Sequence, residues 1–222
     1  SDAADIRATD VIADGVSMRF AVHRASRPPL QVAVRVAGLH NVRNTLAALA
    51  VGHAAGLDTG TMSDGLTQYR GVKRRLELRG LERGVAVYDD FAHHPTAILE
   101  TVRAIKSADP TRRVWAVFEP RSATSCRKVF QQDFADAFAA SGADEVILAA
   151  VFRATLPDAE RLSVEEIVSD LTRRGRHART LPNVDAIVQT IAVEAKPGDV
   201  VLLMSNGGFD GIHDKLLDAL RG

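Results

Sequence analysis

The sequence predicts an α/β fold in which a Rossmann-like, mostly parallel sheet carries helices on both faces. Downstream of about residue 84, short β-branched runs alternate with stretches of helical periodicity, which is the pattern of right-handed strand–helix–strand crossovers. Polar loops follow several of these runs at the point where a strand passes into a helix. The chain of 222 residues is 46% hydrophobic, so it has enough apolar surface to bury a core.

Composition and charge argue against several classes of protein. The 28 basic and 28 acidic side chains give zero formal charge, so we expect no affinity for nucleic acid or for an anionic membrane. No apolar run approaches the ~20 residues of a membrane span, and the acidic start Ser1-Asp2 is unlike a secretory signal. The single cysteine, Cys126, excludes an internal disulfide, and a reducing cytoplasm is the expected location.

The first part of the chain differs from the rest because it opens with strands that no helix separates. Alternating, β-branched segments predict short strands joined by a turn at Asp14-Gly15. Two stretches of helical periodicity follow. The predicted elements are strands within Val11–Val22 and Leu30–Val36, and helices at Asn41–Ala55 and Thr61–Tyr69.

A domain junction is predicted near Arg79–Gly84, where a positively charged segment precedes a fresh start of strand and helix alternation. It divides the chain into residues 1–79 and 80–222. In the second part we predict strands at Val85–Asp90, Arg113–Phe118, Glu145–Val151, Ala178–Leu181 and Val200–Ser205, and helices at Thr96–Lys106, Ser125–Ala140, Val164–Arg174, Val184–Glu194 and Gly208–Leu220.

The loop after the first of these strands combines carboxylates, imidazoles and a proline. Asp89 and Asp90 end the strand, and His93 and His94 precede Pro95, which suits a first helical turn. Ligands in open α/β sheets bind at the carboxyl ends of strands. The carboxylates therefore suit ribose hydroxyls or a cation, and one of them also suits a helix cap. Consecutive histidines point in different directions, so we expect at most one of them to meet the same ligand.

Two more loops are predicted at the same edge of the sheet. Arg121 follows the second strand and is suited to bind a carboxylate or phosphate through its guanidinium fork, or to form a salt bridge with Glu119. The segment Ser205-Asn206-Gly207-Gly208 follows the last strand and opens a helix, where backbone N–H groups are suited to face an anion. The recurrence of such loops at one edge predicts a binding site.

Amides and arginines upstream form a second group of candidates. Asn41 and Asn44 are spaced to share one helix face, and a side-chain amide offers the donor and acceptor pair that the edge of adenine requires. A helix cap and an unrelated amide explain the same pattern. Arg74 and Arg75 are suited to phosphate, although a solvated charged patch is the simpler interpretation of the charge run alone.

Five motifs, in this order along the chain, resemble those of the Mur ligases. They are His40-Asn41-x-x-Asn44, Gly71-Val-Lys-Arg-Arg-Leu-Glu77, Asp89-Asp-Phe-Ala-His-His-Pro-Thr96, Phe118-Glu-Pro-Arg-Ser122 and Ser205-Asn-Gly-Gly-Phe209. The resemblance implies an ATP- and Mg²⁺-dependent ligase that joins an amine to the carboxylate of UDP-N-acetylmuramate through an acyl phosphate. The last two motifs look most like those of members that recycle the tripeptide L-alanyl-γ-D-glutamyl-meso-diaminopimelate, and L-alanine is the alternative amine.

The resemblance also implies roles for individual residues. The ATP-binding set is His40, Asn41, Asn44, Arg75 and Asp90, with amides at adenine, Arg75 at the phosphates and Asp90 at ribose. His93 and His94 match the catalytic signature of the family. The carboxylates of the incoming amine are assigned to Arg121, Ser122, Ser205, Asn206, Gly207 and Gly208.

One departure from the family pattern concerns the nucleotide phosphates. The sequence contains no Gly-x-x-Gly-Lys-Thr/Ser phosphate loop, which cradles ATP phosphates and supplies a hydroxyl to Mg²⁺. We therefore expect a carboxyl-terminal fragment, with residues 1–79 from the central ATP-binding domain and residues 80–222 forming the amine-substrate domain. Its partners would be the missing amino-terminal domains, the Mg²⁺ ligands would lie mainly upstream, and the fragment alone would be inactive.

Two interpretations from other classes remain open at this stage. A metal-dependent hydrolase would use Asp89, Asp90, His93, His94 and His213 as ligands, although no His-x-x-x-His pair supports it. A noncatalytic α/β domain would use the same loops to bind a protein partner.

Overall fold

The described residues form two compact units. The structure is a computed structural model, and it describes residues 4–14, 17–24, 27–152 and 156–222. One unit comprises the chain up to Val72 together with Ser107–Pro110, and the other comprises Lys73–Lys106 together with Thr111–Gly222. This division falls before the junction predicted after residue 79. The identities assigned to the two predicted domains stay a prediction.

The first unit joins an antiparallel sheet to helices. The strands β1 (Ile6–Asp14), β2 (Ser17–Arg24) and β3 (Arg27–Val34) pair in chain order. The helices α1 (Leu39–Ala54) and α2 (Thr59–Gln68) follow. The core contains Phe20, Val22, Val34, Val42 and Leu49. The predicted strands and helices are present, and Gly15 of the predicted turn lies outside the described residues.

The second unit contains the Rossmann-like sheet, with strand order β4-β5-β9-β6-β7-β8. Its first strand pairs antiparallel with the second, and the other pairings are parallel. The strands are β4 (Glu77–Glu82), β5 (Val85–Asp90), β6 (Val114–Phe118), β7 (Glu145–Ala149), β8 (His177–Leu181) and β9 (Val200–Met204). The helices are α3 (Pro95–Ala108), α4 (Gln131–Ser141), α5 (Val164–Arg173), α6 (Val184–Glu194) and α7 (Ile212–Arg221).

Helices cover both faces of this sheet, as the sequence predicted. One face packs against α3, α4 and α5 through residues such as Ile98, Phe134 and Ile167. The other face packs against α6 and α7 through residues such as Ile187 and Leu216. Because both faces are covered, the central strands are apolar along their length.

Strand β4 is missing from the sequence prediction, which placed a domain junction near Arg79–Gly84. Its sequence, Glu-Leu-Arg-Gly-Leu-Glu, carries charges and a glycine, and the strand is interrupted by a register shift between Leu78 and Gly80. It lies at the edge of the sheet, so part of it faces solvent and needs no continuous apolar run. The antiparallel β4–β5 hairpin therefore occupies the segment of the predicted junction.

Two predicted helices begin later than expected. In place of a helix from Ser125, the chain forms a 3-10 turn at Lys128–Phe130 before α4. Before α7, Phe209, Asp210 and Gly211 have φ angles of 47°, 49° and 68°. These left-handed conformations are incompatible with a right-handed helix, so the helix begins only at Ile212.

We expect Gly80→Ala to destabilise the second unit by about 1 kcal/mol, because the new methyl group would crowd a packed side chain. A Cβ at Gly80 would lie 2.7 Å from Leu217 Cδ2, and Leu217 is buried on α7. Urea unfolding, followed by the fluorescence of the only tryptophan in the sequence, Trp115, measures this change. Gly208→Ala in the same unit is the control for stability, since no atom lies within 4 Å of its added Cβ and its φ angle is −78°.

Candidate functional site

Three loops leave the sheet side by side at its carboxyl edge. Strand β9 lies between β5 and β6, with Asp90 and Phe118 both in register with Met204. The loops that follow these three residues carry His93, Arg121 and Asn206. The structure therefore brings the predicted loops of the second unit to one row at one edge.

Ser205 ties two of these loops together. Its buried hydroxyl donates to Glu119 Oε2 at 2.5 Å and accepts from the N–H of Gly207 at 2.9 Å. Its own N–H donates to the carbonyl of Asp90 at 3.1 Å. Two N–H groups that were predicted to face an anion are thus engaged within the protein. Sequence reasoning considered Glu119 only as a salt-bridge partner of Arg121 and missed its bond to Ser205, although its place directly after β6 was a usable signal.

Arg121 lies against Gly207 and an aromatic ring. A Cβ at Gly207 would be 2.1 Å from Arg121 Nε, so the guanidinium occupies the space that a larger residue would fill. Arg121 Cζ is 3.6 Å from the centroid of the Phe152 ring, and Nη1 is 3.6 Å from Glu119 Oε1. The salt bridge to Glu119 is therefore present. No sequence pattern indicated a contact between Arg121 and Phe152, because a helix and a strand separate the two residues along the chain.

If Arg121 binds an anionic amine, as the resemblance of its motif implies, Phe152→Ala should lower the second-order rate constant for that amine about threefold, because an exposed cation–π contact contributes ~0.5–1 kcal/mol. Phe152 is 57% exposed, so the free energy of unfolding should change little. Steady-state kinetics of the full-length protein with the amine varied measures the effect. Val129→Ala, at an exposed apolar position on the 3-10 turn, is the control.

Ser122 is held in a turn rather than displayed as an open hydroxyl. Its Oγ donates to Ser125 Oγ at 2.8 Å and accepts from the N–H of Ser125 at 2.9 Å. Ser125 Oγ also accepts from the N–H groups of Arg121 and Ser122. This turn fixes the direction in which the chain leaves β6, and substrate binding by Ser122 stays a prediction.

Asp90 holds the backbone of two neighbouring segments. Its Oδ2 accepts from the N–H of Leu76 at 2.8 Å and its Oδ1 from the N–H of Ala92 at 2.7 Å. Burial raises the pKa of this carboxyl above its usual range, although both N–H donors and Arg75 act against the rise. The side chain is 3% exposed, and its predicted contact with ribose stays a prediction.

Asp89 is the centre of a buried charge cluster. Its Oδ2 lies 3.2 Å from Arg74 Nε and 3.8 Å from Arg79 Nη1, and its Oδ1 lies 3.1 Å from His213 Nε2. Burial acts to raise the pKa of this carboxyl, but the contacts with His213 and Arg74 outweigh it, and the pKa is lowered. Asp89 is therefore an anion at neutral pH, and its geometry is that of a support for the loops.

A family model described as Mur ligase, glutamate ligase domain, matches residues 74–207. The chain belongs to the Mur ligase family. It is 41% identical, over 82% of its length, to the UDP-N-acetylmuramate–L-alanyl-γ-D-glutamyl-meso-2,6-diaminoheptandioate ligase of Escherichia coli (strain K12), of which it covers 38%. It is 32% identical, over 89% of its length, to the UDP-N-acetylmuramate–L-alanine ligase of Acetivibrio thermocellus, of which it covers 41%. The chain thus spans about two fifths of these relatives.

Two solved structures of ligases are similar to this chain. The murein peptide ligase of Psychrobacter arcticus 273-4 is 35% identical, with a TM-score of 0.70, and the match covers 100% of this chain and 45% of that one. The UDP-N-acetylmuramate–alanine ligase of Thermotoga maritima has a TM-score of 0.79 at 21% identity, covering 96% of this chain and 45% of that one, and it supports the fold alone.

In this Mur ligase chain the two consecutive histidines contact different elements. His93 Nδ1 lies 2.9 Å from the carbonyl oxygen of Phe91, with the two rings edge to face. The ring of His94 packs edge to face against Phe130, at 5.5 Å between centroids. The two rings therefore have different neighbours. Their catalytic roles stay predictions.

The predicted nucleotide residues are divided between the two units. In the first unit, Asn44 Nδ2 donates to Asn41 Oδ1 at 3.3 Å, so the two amides share a helix face as expected. Asn41 Nδ2 donates to the carbonyl of Ala37 at 2.7 Å and lies 3.1 Å from His40 Nε2. Arg75 belongs to the second unit, where it is exposed, and its Cζ is 5.6 Å from the Phe91 ring centroid.

The proposed hydrolase ligands do not assemble into a metal-binding group. Within residues 4–14, 17–24, 27–152 and 156–222, no set of three or more His, Cys, Asp or Glu side chains is arranged to hold a metal ion. Across the same ranges, no helix is both long enough and apolar enough to span a membrane.

Proposed function

We propose that the protein to which this chain belongs is an ATP-dependent amide ligase of peptidoglycan recycling. It joins the amine of L-alanyl-γ-D-glutamyl-meso-diaminopimelate to the carboxylate of UDP-N-acetylmuramate through an acyl phosphate. The observation that carries the proposal is the row of three loops at the carboxyl edge of the sheet, with Arg121 packed against Gly207. A fixed guanidinium at this edge suits the carboxylates of a peptide.

The tripeptide is favoured over L-alanine by the relatives. Two ligases named for the tripeptide, from Escherichia coli and Haemophilus influenzae, are 41% and 38% identical to the chain. Ligases named for L-alanine are 31–33% identical. L-alanine is the second candidate because those ligases match a similar share of the chain.

Each unit contains a residue whose chemistry suits ATP. Asn44 presents an amide on an exposed helix face, and Arg75 presents an exposed guanidinium, which suits a phosphate. ATP supplies the phosphoryl group that activates the carboxylate. We assign the Mg²⁺ ligands to residues outside this chain, since the phosphate-loop motif is absent from its sequence. We also propose that the protein acts in the cytoplasm with its amino-terminal domains, and that these 222 residues alone show no turnover.

A competition between amines tests the proposal. The full-length protein is incubated with ATP, Mg²⁺, UDP-N-acetylmuramate and either the tripeptide or L-alanine, and the amide product is identified by mass spectrometry. We expect saturable formation of the tripeptide product, with L-alanine at least 100-fold less effective in the second-order rate constant. Saturable use of L-alanine and not of the tripeptide would reverse the choice. Without product from either amine, the ligase assignment fails.

A further inference from the structure

Arg74 forms hydrogen bonds with several loops of the candidate site, whereas neighbouring Arg75 is the arginine predicted to bind the nucleotide phosphates. Its Nη2 donates to the carbonyl of Ser205 at 2.6 Å and to that of Gly207 at 2.7 Å. Its Nε donates to Asp89 Oδ2 at 3.2 Å. One guanidinium thus holds two carbonyls of the loop after β9 and the carboxylate at the end of β5.

The backbone of Arg74 connects the loop after β5 to the same point. Its carbonyl accepts from the N–H of Phe91 at 2.8 Å, and its own N–H donates to Glu77 Oε2 at 2.8 Å. The residue has a φ angle of 59°, in the left-handed region that residues with a side chain rarely adopt. A conformation of this kind persists only where its surroundings fix it, and here hydrogen bonds fix it on both sides.

We propose that Arg74 is a positioning residue that holds Ser205–Gly208 in the conformation that receives the acceptor amine. The inference rests on the proposed function and concerns the same site. The loop is fixed from one side by the Ser205 hydroxyl, which bonds Glu119 and the N–H of Gly207. Arg74 fixes it from the carbonyl side. Since Gly207 lies against Arg121, a shift of this loop also moves the guanidinium that faces the amine.

An arginine is suited to this task and a lysine is not. A planar guanidinium presents donors in fixed directions, so it serves two carbonyls and a carboxylate together. An ammonium group at the end of a flexible chain keeps the charge beside Asp89 but not the fork. Neighbouring Arg75 is exposed, with no bond of this kind to the loop among the contacts that the described residues show.

Kinetics of the full-length protein with Arg74→Gln and Arg74→Lys test the proposal. For Arg74→Gln we expect the KM of the acceptor amine to rise at least tenfold, while the KM values of ATP and UDP-N-acetylmuramate change less than threefold. Arg74→Lys should raise the KM of the amine at least fivefold and retain the fold, which Trp115 fluorescence verifies. Arg173→Gln is the matched control, because Arg173 is 74% exposed on α5 and pairs with Asp170; it should leave all three KM values unchanged.

Hydrogen exchange separates this inference from the proposed function. In the 222-residue chain, Arg74→Gln should speed exchange in the peptide that spans residues 203–212 at least tenfold, with β6 unchanged. The positioning role would be overturned if Arg74→Gln lowered kcat and left all three KM values unchanged. An unchanged exchange rate in that peptide would also overturn it. If the wild-type full-length protein uses neither amine, the proposed function fails, and the exchange rates alone then decide whether Arg74 holds the loop.

Discussion

Gly207→Ala is expected to lower the second-order rate constant for the acceptor amine about 100-fold, because it displaces the guanidinium of Arg121. A Cβ at Gly207 would lie 2.1, 2.2 and 2.7 Å from Nε, Cδ and Cζ of Arg121. These atoms cannot remain in place at such distances, so the side chain must move away by about 1 Å or more. A displacement of ~1 Å in a positioning group is enough for a ~10²-fold loss of rate.

The same substitution should change the free energy of unfolding by less than about 1 kcal/mol. The clashing atoms belong to the end of a flexible side chain, and the backbone of Gly207 is not in the left-handed region. Kinetics with the amine varied and urea unfolding followed at Trp115 therefore separate function from folding. Gly65→Ala, whose added Cβ meets no atom within 4 Å, controls for the methyl group itself. An unchanged rate constant would show that Arg121 does not bind the amine.

The sheet of this unit was predictable because burial on both faces is visible in local sequence. The runs in β6, β7 and β9 are apolar at almost every position, and each is preceded by a charged residue. Such a run predicts a central strand without knowledge of its partners. Strand β4 was not predictable in this way, because its pairing at the sheet edge rests on backbone bonds that charged residues and glycine also form.

The positions of the candidate loops were predictable, but the contacts that hold them were not. The sequence pattern places Asp90 at the end of a strand, and it places Arg121 and Asn206 just after strands. The bonds from Arg74 to Ser205 and Gly207 join residues that lie 131 and 133 positions apart in the sequence. Periodic patterns in the sequence predict local structure and do not predict contacts over such separations. The contact between Phe152 and Arg121 likewise joins residues that are distant in the sequence. Sequence analysis therefore predicted the edge at which the candidate loops lie and missed the contacts that hold these loops in place.

Asp89→Asn is expected to destabilise the second unit by about 3 kcal/mol at pH 7, because it removes the anion that the guanidinium groups of Arg74 and Arg79 face. Asp89 is 2% exposed and contacts Arg74, Arg79 and His213. Breaking a buried ion pair at one partner costs ~3–5 kcal/mol, since the remaining charge keeps its desolvation without compensation. The lower end applies here because the side chains of Arg74 and Arg79 are about one third exposed to solvent.

The pH dependence of this loss has a defined sign. The pKa of Asp89 is lowered below its ordinary value of 3.8, so its ionised form stabilises the folded state above about pH 4, and this stabilisation is lost as the pH falls through the lowered pKa. The difference in unfolding free energy between wild type and Asp89→Asn should therefore be largest near pH 7 and shrink toward pH 2. Urea titrations followed at Trp115 over this range measure it.

A surface carboxylate provides the comparison for this experiment. Asp218 pairs with Arg221 one turn away on α7 and its side chain is 73% exposed, so Asp218→Asn should change stability by less than ~1 kcal/mol at any pH. A loss at Asp89 that persists undiminished at pH 2 would mean that shape and packing, rather than charge, hold the cluster together. Because Arg74 is bonded to Asp89 and to the loop after β9, Asp89→Asn should also speed hydrogen exchange in that loop at pH 7.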